Sequence, residues 1–190
     1  GLGGYSIIQN ANQGHEQMMS YIITTPNKKV IVIDGGREND VEYLREKLVA
    51  LGGVVDMWHI THAHRDHMDA FTHIMNEPNG IEVKSVYWDF PPEDWIREIY
   101  PGGIESLALF YYTIGANKDI STEAKKGMSF LLDGLKLEVL FDFRHYLETN
   151  NLNDTSLVYR VVFPNKVVAL FLGDLAGIGG EHLADEYGDK

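Results

Sequence analysis

The chain has 190 residues, 44% of them hydrophobic and 23% charged, which is the size and composition of one globular domain with a sizeable core. Its formal net charge of −12 argues against an extended nucleic-acid surface, because phosphate backbones are bound by clustered Lys and Arg. The absence of cysteine excludes disulfides, thiolate metal sites and thiol nucleophiles, so any metal ion must be held by His and carboxylates.

The N-terminal part of the sequence predicts three strands followed by a helix. The strands are rich in apolar and β-branched residues and lie at 5–9, 18–25 and 30–34. The helix is predicted over 38–53, because apolar residues recur there at helical spacing. The residues that would share its buried face are Val41, Leu44, Leu48 and Leu51.

The rest of the chain predicts a mixture of strands and helices. Strands are predicted at 54–60, 81–90, 155–163 and 166–174. Helices are predicted at 69–77, from Pro91 onwards, at 104–115 and, weakly, at 178–187. Residues 128–143 indicate a hairpin, because Asp133-Gly134 is a favoured two-residue turn. Groups of strands with helices between them indicate sheets packed face to face with helices outside, or a mixed α/β sheet.

Histidines and acids crowd into one short stretch directly after the predicted strand at 54–60. They are His62, His64, Asp66, His67 and Asp69. In extended backbone, side chains at i and i+2 point the same way, so His62 and His64 can address one cation together. Asp66 and His67 follow a turn and can face a second cation nearby. Imidazole and carboxylate groups suit Zn²⁺, and also Mn²⁺ or Fe, so the H-x-H-x-D-H spacing predicts a metal site rather than a solvated loop.

A metal site needs further ligands from elsewhere in the chain, and Asp174 is the candidate. The segment LFLGD places its carboxylate at the end of an apolar strand, and the two oxygens of a carboxylate can bridge two cations. The alternative is an Asp that forms a turn after Gly173. His59 is interpreted as a strand residue rather than a ligand. The histidines interpreted as incidental are His15, His73 and His182.

These motifs together resemble the metallo-β-lactamase superfamily. The H-x-H-x-D-H motif of the family reads 62–67 here, its strand-end Asp-Gly-Gly motif reads 34–36, and its later Gly-Asp strand end reads 173–174. The chain looks like the ComEC/Rec2-like and phosphorylcholine-esterase-like branch, whose N-x-x-S-L-V segment is matched by 153–158. The resemblance extends from about residue 4 to residue 180.

The resemblance implies an α/β (α+β) fold, the αββα four-layer sandwich of this superfamily, and a site for two divalent cations, most often Zn²⁺. It implies that His62 and His64 hold the first cation, that Asp66 and His67 hold the second, and that Asp174 bridges them. In this branch Asn153 takes the place of a third histidine on the first cation.

Two further assignments depend on the same resemblance. Asp34 would fix a ligand histidine through its other ring nitrogen, the alternative being a turn acid before two glycines. His145 is an alternative donor to Asn153 for the first cation.

Members of the family carry one more histidine on a final strand after the Gly-Asp motif. No residue after Asp174 matches it, and His182 falls in the predicted C-terminal helix. The chain is therefore expected to be a single domain over residues 1–190 that lacks the last strand-helix unit of the fold. The alternative is a second cation that lacks one protein ligand.

The predicted reaction is metal-dependent hydrolysis of a small-molecule or phosphodiester substrate. Cations at such a site lower the pKa of a water, and Asp66 would orient that water or accept its proton. The branch favours phosphodiesters or other esters, although the superfamily also acts on β-lactams, thioesters, lactones and nucleic acids. Tyr87, Trp88 and Asp89 can line the mouth of the site, or the two aromatic residues can pack in the core.

Two other functions stay open at this stage. A non-catalytic domain of the same fold could bind a ligand or partner with an incomplete metal site, which Asn153 and the unmatched final histidine favour. An iron oxidoreductase of the flavodiiron kind is disfavoured by the intact His64.

The sequence has no apolar run of membrane-span length and no visible signal peptide. A cytoplasmic location is favoured on that ground, and the oligomeric state is left open.

Overall fold

The computed structural model describes residues 2–145 and 150–188, with the backbone alone at His145. The strands of this part of the chain are β1 (Ser6–Gln9), β2 (Ser20–Thr24), β3 (Val30–Asp34), β4 (Val54–Val55), β5 (Met57–Ile60), β6 (Glu82–Val83), β7 (Val86–Trp88), β8 (Ser121–Glu123), β9 (Ser129–Leu132), β10 (Leu135–Phe141), β11 (Val158–Val162) and β12 (Val168–Phe171). The helices are α1 (Val41–Ala50), α2 (Arg65–Asn76), α3 (Glu93–Ile99), α4 (Ile104–Ala116) and α5 (Gly177–Tyr187).

A six-stranded sheet in the order β1-β2-β3-β5-β7-β8 forms the centre of the fold. The first three strands form an antiparallel meander, whereas β3, β5, β7 and β8 run parallel. Because parallel strands end at the same edge of a sheet, the segments that follow β3 and β5 lie side by side. Both segments carry polar motifs.

The two faces of this sheet are buried by different layers. On one face Val32, Trp58 and Ile60 pack against helices, among them Phe71 of α2. On the other face, side chains such as Ile31 pack against a four-stranded antiparallel sheet in the order β12-β11-β10-β9. This division follows from strand geometry, in which successive side chains point to opposite faces.

Helix α5 covers part of the outer face of the four-stranded sheet. Its Leu183 and Tyr187 pack against a small cluster formed by Leu140, Phe141 and Val158. The layers are therefore helices, sheet, sheet and helix, and the expected αββα sandwich is confirmed.

Several element boundaries differ from the sequence-based expectation. The strand predicted at 54–60 divides at Asp56, whose carboxylate accepts a hydrogen bond from the Val30 amide at 2.9 Å. Its first part, β4, pairs with β6 in a separate two-stranded sheet. The strand predicted at 81–90 is likewise divided, into β6 and β7. Helix α2 begins at Arg65 rather than at residue 69. The short strand β8 was not predicted.

The hairpin predicted over 128–143 is confirmed. Asp133 and Gly134 connect β9 to β10 with φ values of 45° and 82°, the left-handed backbone that a tight two-residue hairpin turn requires. In the described residues, no helix has the length and hydrophobicity of a membrane span.

Candidate metal centre

The H-x-H-x-D-H motif lies where β5 is converted into helix α2. Thr61 continues from β5, and His64 is the N-cap residue of α2 with extended backbone at φ −82° and ψ 148°. Asp66 and His67 therefore lie in the first helical turn, where a negative side chain is favoured by the helix dipole. The sequence predicted a turn before Asp66 and His67, whereas in the structure helix α2 begins there.

Three donor groups from opposite sheets converge at the centre of the site. One ligand atom each from His62, His67 and Asp174 lies within 4.8 Å of the others. Nε2 of His67 is 3.0 Å from Oδ2 of Asp174, and Nε2 of His62 is 3.8 Å from the same oxygen. Both imidazoles are fully buried, while the Asp174 side chain is 26% exposed. The cluster is thus buried in the protein and open on the Asp174 side.

Two further residues of the motif flank this centre on different sides. Nδ1 of His64 lies 2.9 Å from Nε2 of His62. Oδ2 of Asp66 lies 3.6 Å from Nε2 of His67. The structure therefore groups His62 with His64, and His67 with Asp66, with Asp174 in contact with both groups.

The hydroxyl groups around His62 determine which ring nitrogen faces the centre. Thr61 Oγ1 donates to Asp34 at 2.7 Å, and Ser156 Oγ donates to the carbonyl of Asn153 at 2.7 Å. Each hydroxyl oxygen also lies 3.1 Å from Nδ1 of His62. Because each hydroxyl already donates its proton to another group, it can only accept a hydrogen bond from Nδ1. Nδ1 therefore carries the proton, and the lone pair of Nε2 faces the cluster.

Asp34 performs the same function for His67. Its buried Oδ2 lies 2.7 Å from Nδ1 of His67, and its other oxygen accepts from the Thr61 amide at 2.8 Å. A carboxylate at Nδ1 holds the proton there, so Nε2 of His67 is left to face Asp174. This is the contact with a ligand histidine that the sequence predicted for Asp34.

The electrostatics of the cluster favour a positive charge between its acids. Burial works to lower the pKa of His67, but Asp34 and Asp174 outweigh it and raise that pKa to about 10. Burial, and then the neighbouring His67 and His64, hold the pKa of His62 well below its ordinary value. Burial would raise the pKa of Asp174, yet contact with His67 lowers it. A proton on His67, or a cation bound among these groups, would balance the negative charge of Asp34 and Asp174.

Asn153 contributes a buried oxygen beside the first pair of histidines. It lies in a 3₁₀ turn, Leu152–Thr155, directly before the segment that leads to β11. Its amide contact works to raise the pKa of both His62 and His64. Its Oδ1 is buried without a well-aligned hydrogen bond in the described part of the chain. An orphaned buried oxygen next to imidazole lone pairs fits a metal ligand. The side chain of the alternative donor, His145, lies outside the described residues.

Comparison with known proteins decides the family. The profile described as the Metallo-beta-lactamase superfamily matches residues 14–189. The chain belongs to the metallo-beta-lactamase superfamily. This superfamily consists mostly of metal-dependent hydrolases, and its fold typically binds divalent metals, often zinc. No curated protein matches the sequence.

Solved metallo-beta-lactamase structures share the fold at low sequence identity. One from Cronobacter sakazakii is 20% identical with a TM-score of 0.55, over 87% of this chain and 60% of that one. One from Staphylococcus aureus subsp. aureus COL is 14% identical with a TM-score of 0.55, over 96% and 50%. The subclass B3 enzyme MEM-A1 from a soil metagenome library is 15% identical with a TM-score of 0.54, over 89% and 59%. The chain thus spans 50 to 60% of the length of these structures.

The Cronobacter sakazakii protein is described by the motif HARLDQ. Written letter against letter, the motif HAHRDH of this chain has His64 in place of Arg, Arg65 in place of Leu and His67 in place of Gln. The chain therefore keeps all the nitrogen and carboxylate donors of the H-x-H-x-D-H pattern. The branch of the metallo-beta-lactamase superfamily stays a prediction, as does the expectation of a single domain lacking its last strand-helix unit.

Three residues of this candidate metal centre were not predicted as functional. Thr61 and Ser156 orient His62, and the ring of Tyr100 lies edge-on to His64 with centroids 4.8 Å apart. Thr61 precedes the motif and Ser156 follows Asn153 by three positions, so a search for hydroxyl groups beside the ligands would have found both. Tyr100 comes from the end of α3, and sequence spacing gave no signal for it.

The aromatic residues considered for the mouth of the site pack in the core instead. Tyr87 stacks on His59 with centroids 4.8 Å apart, and Trp88 packs edge-on against Phe110. Asp89 is buried and paired with Arg144. His59 lies in β5, so the prediction that it is a strand residue is confirmed.

Proposed function

We propose that the chain is a hydrolase that uses two divalent cations, most readily Zn²⁺, to activate water against a phosphodiester or related ester. The observation that carries this proposal is the convergence of His62, His67 and Asp174 from opposite sheets to within 4.8 Å. The preference for phosphate esters rests on the similarity of the segment 153–158 to the ComEC/Rec2-like branch. Mn²⁺ and Fe are possible occupants of the same donors.

The contacts among the donor side chains support a division into two half-sites. His62, His64 and Asn153 would hold one cation, since these three side chains touch one another. Asp66 and His67 would hold the other. Asp174 would serve both, because the same carboxylate oxygen approaches His62 and His67.

The side chains of this site have distinct tasks in hydrolysis. When bound, divalent cations supply the Lewis acidity that makes a water acidic and stabilises negative charge on the substrate. Asp66, partly exposed at the start of α2, accepts the proton of the attacking water and passes it to the leaving group. Asp34 and the Thr61 hydroxyl hold His67 and His62 in the tautomers that direct Nε2 inward.

One specific observation favours a second candidate, a non-catalytic domain of the same fold. The amide oxygen of Asn153 is a neutral ligand and a weaker one than the imidazole found there in many members of the family. A site that binds one cation firmly and the other poorly could serve in ligand binding rather than in hydrolysis.

Metal counting combined with activity separates these candidates. The chain would be purified without chelators and its metal content measured by elemental mass spectrometry, beside His67→Ala and the control His73→Ala. We expect about two ions per chain in the wild type and in the control, fewer in His67→Ala, and hydrolysis of phosphodiester or ester substrates only where metal is retained. About one ion per chain with no hydrolysis of any ester tested would favour the non-catalytic domain. No bound metal in the wild type would refute both.

A further inference from the structure

Two arginines project from the same chain segments that build the metal centre. Arg65 lies between His64 and Asp66, and Arg37 follows the Asp34-Gly35-Gly36 motif. Their segments are joined by a hydrogen bond from the Ala70 amide of α2 to the carbonyl of Gly36 at 2.9 Å. In a chain with a net charge of −12, two guanidinium groups beside an acidic metal centre require an explanation.

Tyr100 lies between these arginines and the metal centre. Its ring touches His64, with centroids 4.8 Å apart. Burial raises the pKa of Tyr100, and the charges of Arg65 and Arg37 act against that rise, because both guanidinium groups lie near the phenol. One phenol and two guanidinium groups thus share a region that borders His64.

Part of the donor capacity of these arginines is unused. Nε of Arg65 is bound to Asp69 at 3.1 Å, but its terminal amino groups have no hydrogen-bond partner in the part of the chain that the structure describes. Nε of Arg37 is buried and likewise has no hydrogen bond among the described residues. Arg65 thus offers exposed amino groups and Arg37 a buried donor without a hydrogen bond, and guanidinium donors favour an oxyanion, for which arginine has matching geometry.

A carboxylate of the chain already lies at this position. Oε2 of Glu16 is 3.4 Å from Nε of Arg37, an ion pair without a hydrogen bond, and the Glu16 side chain is 61% exposed. Glu16 belongs to the segment between β1 and β2, which is held to α2 by a hydrogen bond from the Met19 amide to the carbonyl of Asp66 at 3.3 Å. This exposed, poorly aligned pair is weak and can be displaced.

We propose that Arg37, Arg65 and Tyr100 form a subsite for an anionic group of the substrate, a phosphate or a carboxylate, beside the His64 side of the metal centre. The Glu16 carboxylate occupies this subsite in the unliganded chain and leaves it when the substrate binds. The subsite selects anionic esters over neutral ones. Its place in substrate selection rests on the proposed hydrolase function, whereas its capacity to bind an anion does not.

The test measures the binding of inorganic phosphate to the full chain after metal has been removed with a chelator and the chelator dialysed away, so that neither metal ions nor chelator carboxylates contribute. Isothermal titration would compare the wild type with Glu16→Gln, Arg37→Gln and Arg65→Gln. The matched controls are Glu46→Gln and Arg97→Gln, which remove the same charges from an exposed position on α1 and a half-buried position on α3. Thermal melting would verify that every variant is folded.

We expect Glu16→Gln to bind phosphate roughly tenfold more tightly than the wild type, because a competing charged partner is removed. Arg37→Gln and Arg65→Gln should each bind roughly tenfold more weakly, while both controls match the wild type. Acetate should compete with phosphate if the guanidinium groups recognise the negative charge of the anion rather than its tetrahedral shape.

Equal phosphate affinity in Arg37→Gln, Arg65→Gln and Arg97→Gln would overturn the subsite. Equal affinity in Glu16→Gln and Glu46→Gln would overturn the role of Glu16. These outcomes are independent of the hydrolase proposal, since they are measured without metal. A chain that binds phosphate as expected but neither retains metal nor hydrolyses esters would refute the proposed function and leave the anion subsite in place.

Discussion

Asp34 is the residue on which the geometry of the centre depends most. It ends β3 with a positive φ of 58°, a left-handed backbone that non-glycine residues rarely adopt. This conformation turns the carboxylate back toward Thr61 and His67, where its two oxygens accept three hydrogen bonds. Backbone strain at a functional position is tolerated when the surrounding structure holds it, and these hydrogen bonds do so here.

Asp34→Asn is therefore expected to weaken metal binding without unfolding the chain. The amide keeps the shape and tolerates a positive φ, but it removes the negative charge beside Nδ1 of His67. Zn²⁺ affinity should fall by about 10- to 100-fold in a competition titration with a chromophoric chelator. Asp133→Asn, another Asp at positive φ, is the control and should bind Zn²⁺ like the wild type. Unchanged affinity in Asp34→Asn would show that Asp34 is only a turn residue.

At this scale the sequence predicted the donors and the carboxylate that orients His67, but not the hydroxyl groups that orient His62. His62, His64, Asp66 and His67 form a recognisable pattern because their spacing is local. The hydroxyls of Thr61 and Ser156 have no such pattern, since Ser and Thr occur throughout any chain and their role depends on contacts between distant segments. Tyr100 touches His64 only because helix α3 ends beside it.

Among the elements, β5 carries a polar side chain into the space between the two sheets. His59 is fully buried there, stacked on Tyr87 and edge-on to Tyr159 with centroids 4.6 Å apart. Neither ring nitrogen has a hydrogen bond in the described structure. Burial lowers the pKa of His59 to about 3, so the folded chain keeps this imidazole neutral.

The stability of the fold should therefore fall in mild acid. The unfolded chain takes up a proton on His59 below its ordinary pKa of 6.5, and the folded chain does not until about pH 3. The contribution of neutral His59 is complete above pH 6.5 and is lost as the pH falls from 6.5 toward 3. Between pH 7 and pH 5 the loss is about 2 kcal/mol.

Urea unfolding of the wild type and of His59→Phe at both pH values would measure this effect. The variant should lose about 2 kcal/mol less than the wild type between pH 7 and pH 5, whatever the cost of the larger ring at pH 7. His15→Gln, which removes an exposed histidine, should behave like the wild type. An identical pH dependence in His59→Phe would disprove the role of His59.

The turn after β12 is a second element that the site requires. Gly173 has a positive φ of 56°, and a Cβ there would come within 2.8 Å of the Ser156 side chain. Ser156 contacts Nδ1 of His62 and accepts from the Asp174 amide. The absence of a side chain at Gly173 thus lets β11, β12 and the motif meet.

Gly173→Ala is expected to weaken metal binding as well as stability. The matched control is Gly127→Ala, because Gly127 also has a positive φ but has nothing within 4 Å of its Cβ position. Both variants should lose about 1 kcal/mol in denaturant unfolding from backbone strain alone. Only Gly173→Ala should also lose roughly tenfold in Zn²⁺ affinity, because it displaces Ser156. Equal affinities in the two variants would contradict this account.

Element type was more predictable than element boundaries. The hydrophobic patterns of β3, α1 and the β9–β10 hairpin were local and strong, and the structure has them where they were expected. The predicted start of helix α2 lies four residues too late. The first turn of this helix consists of charged and histidine residues, which the contacts of the site, rather than helix propensity, hold in helical form. The split at Asp56 depends on its hydrogen bond to β3, a contact between segments that periodicity does not register.

In the molecule as a whole, the candidate metal centre lies across the junction of the two sheets. His62 and His67 follow β5 of the six-stranded sheet, and Asp174 follows β12 of the four-stranded sheet. Across the junction, Nε2 of His67 and Nε2 of His62 both approach Oδ2 of Asp174. A cation held by all three would therefore add a cross-link between the two layers.

Metal binding is accordingly expected to stabilise the whole fold. A ligand present at about 1,000 times its Kd adds about 4 kcal/mol, and a domain of this size gains roughly 2–4 °C in Tm for each kcal/mol. Chelation should thus lower the Tm of the wild type by about 10 °C in differential scanning fluorimetry. Asp174→Ala should melt at nearly the same temperature with and without chelator, because it removes the carboxylate that both half-sites share. Asp119→Ala, at an exposed position, should keep the full shift. A full shift in Asp174→Ala would show that Asp174 does not hold the bound metal.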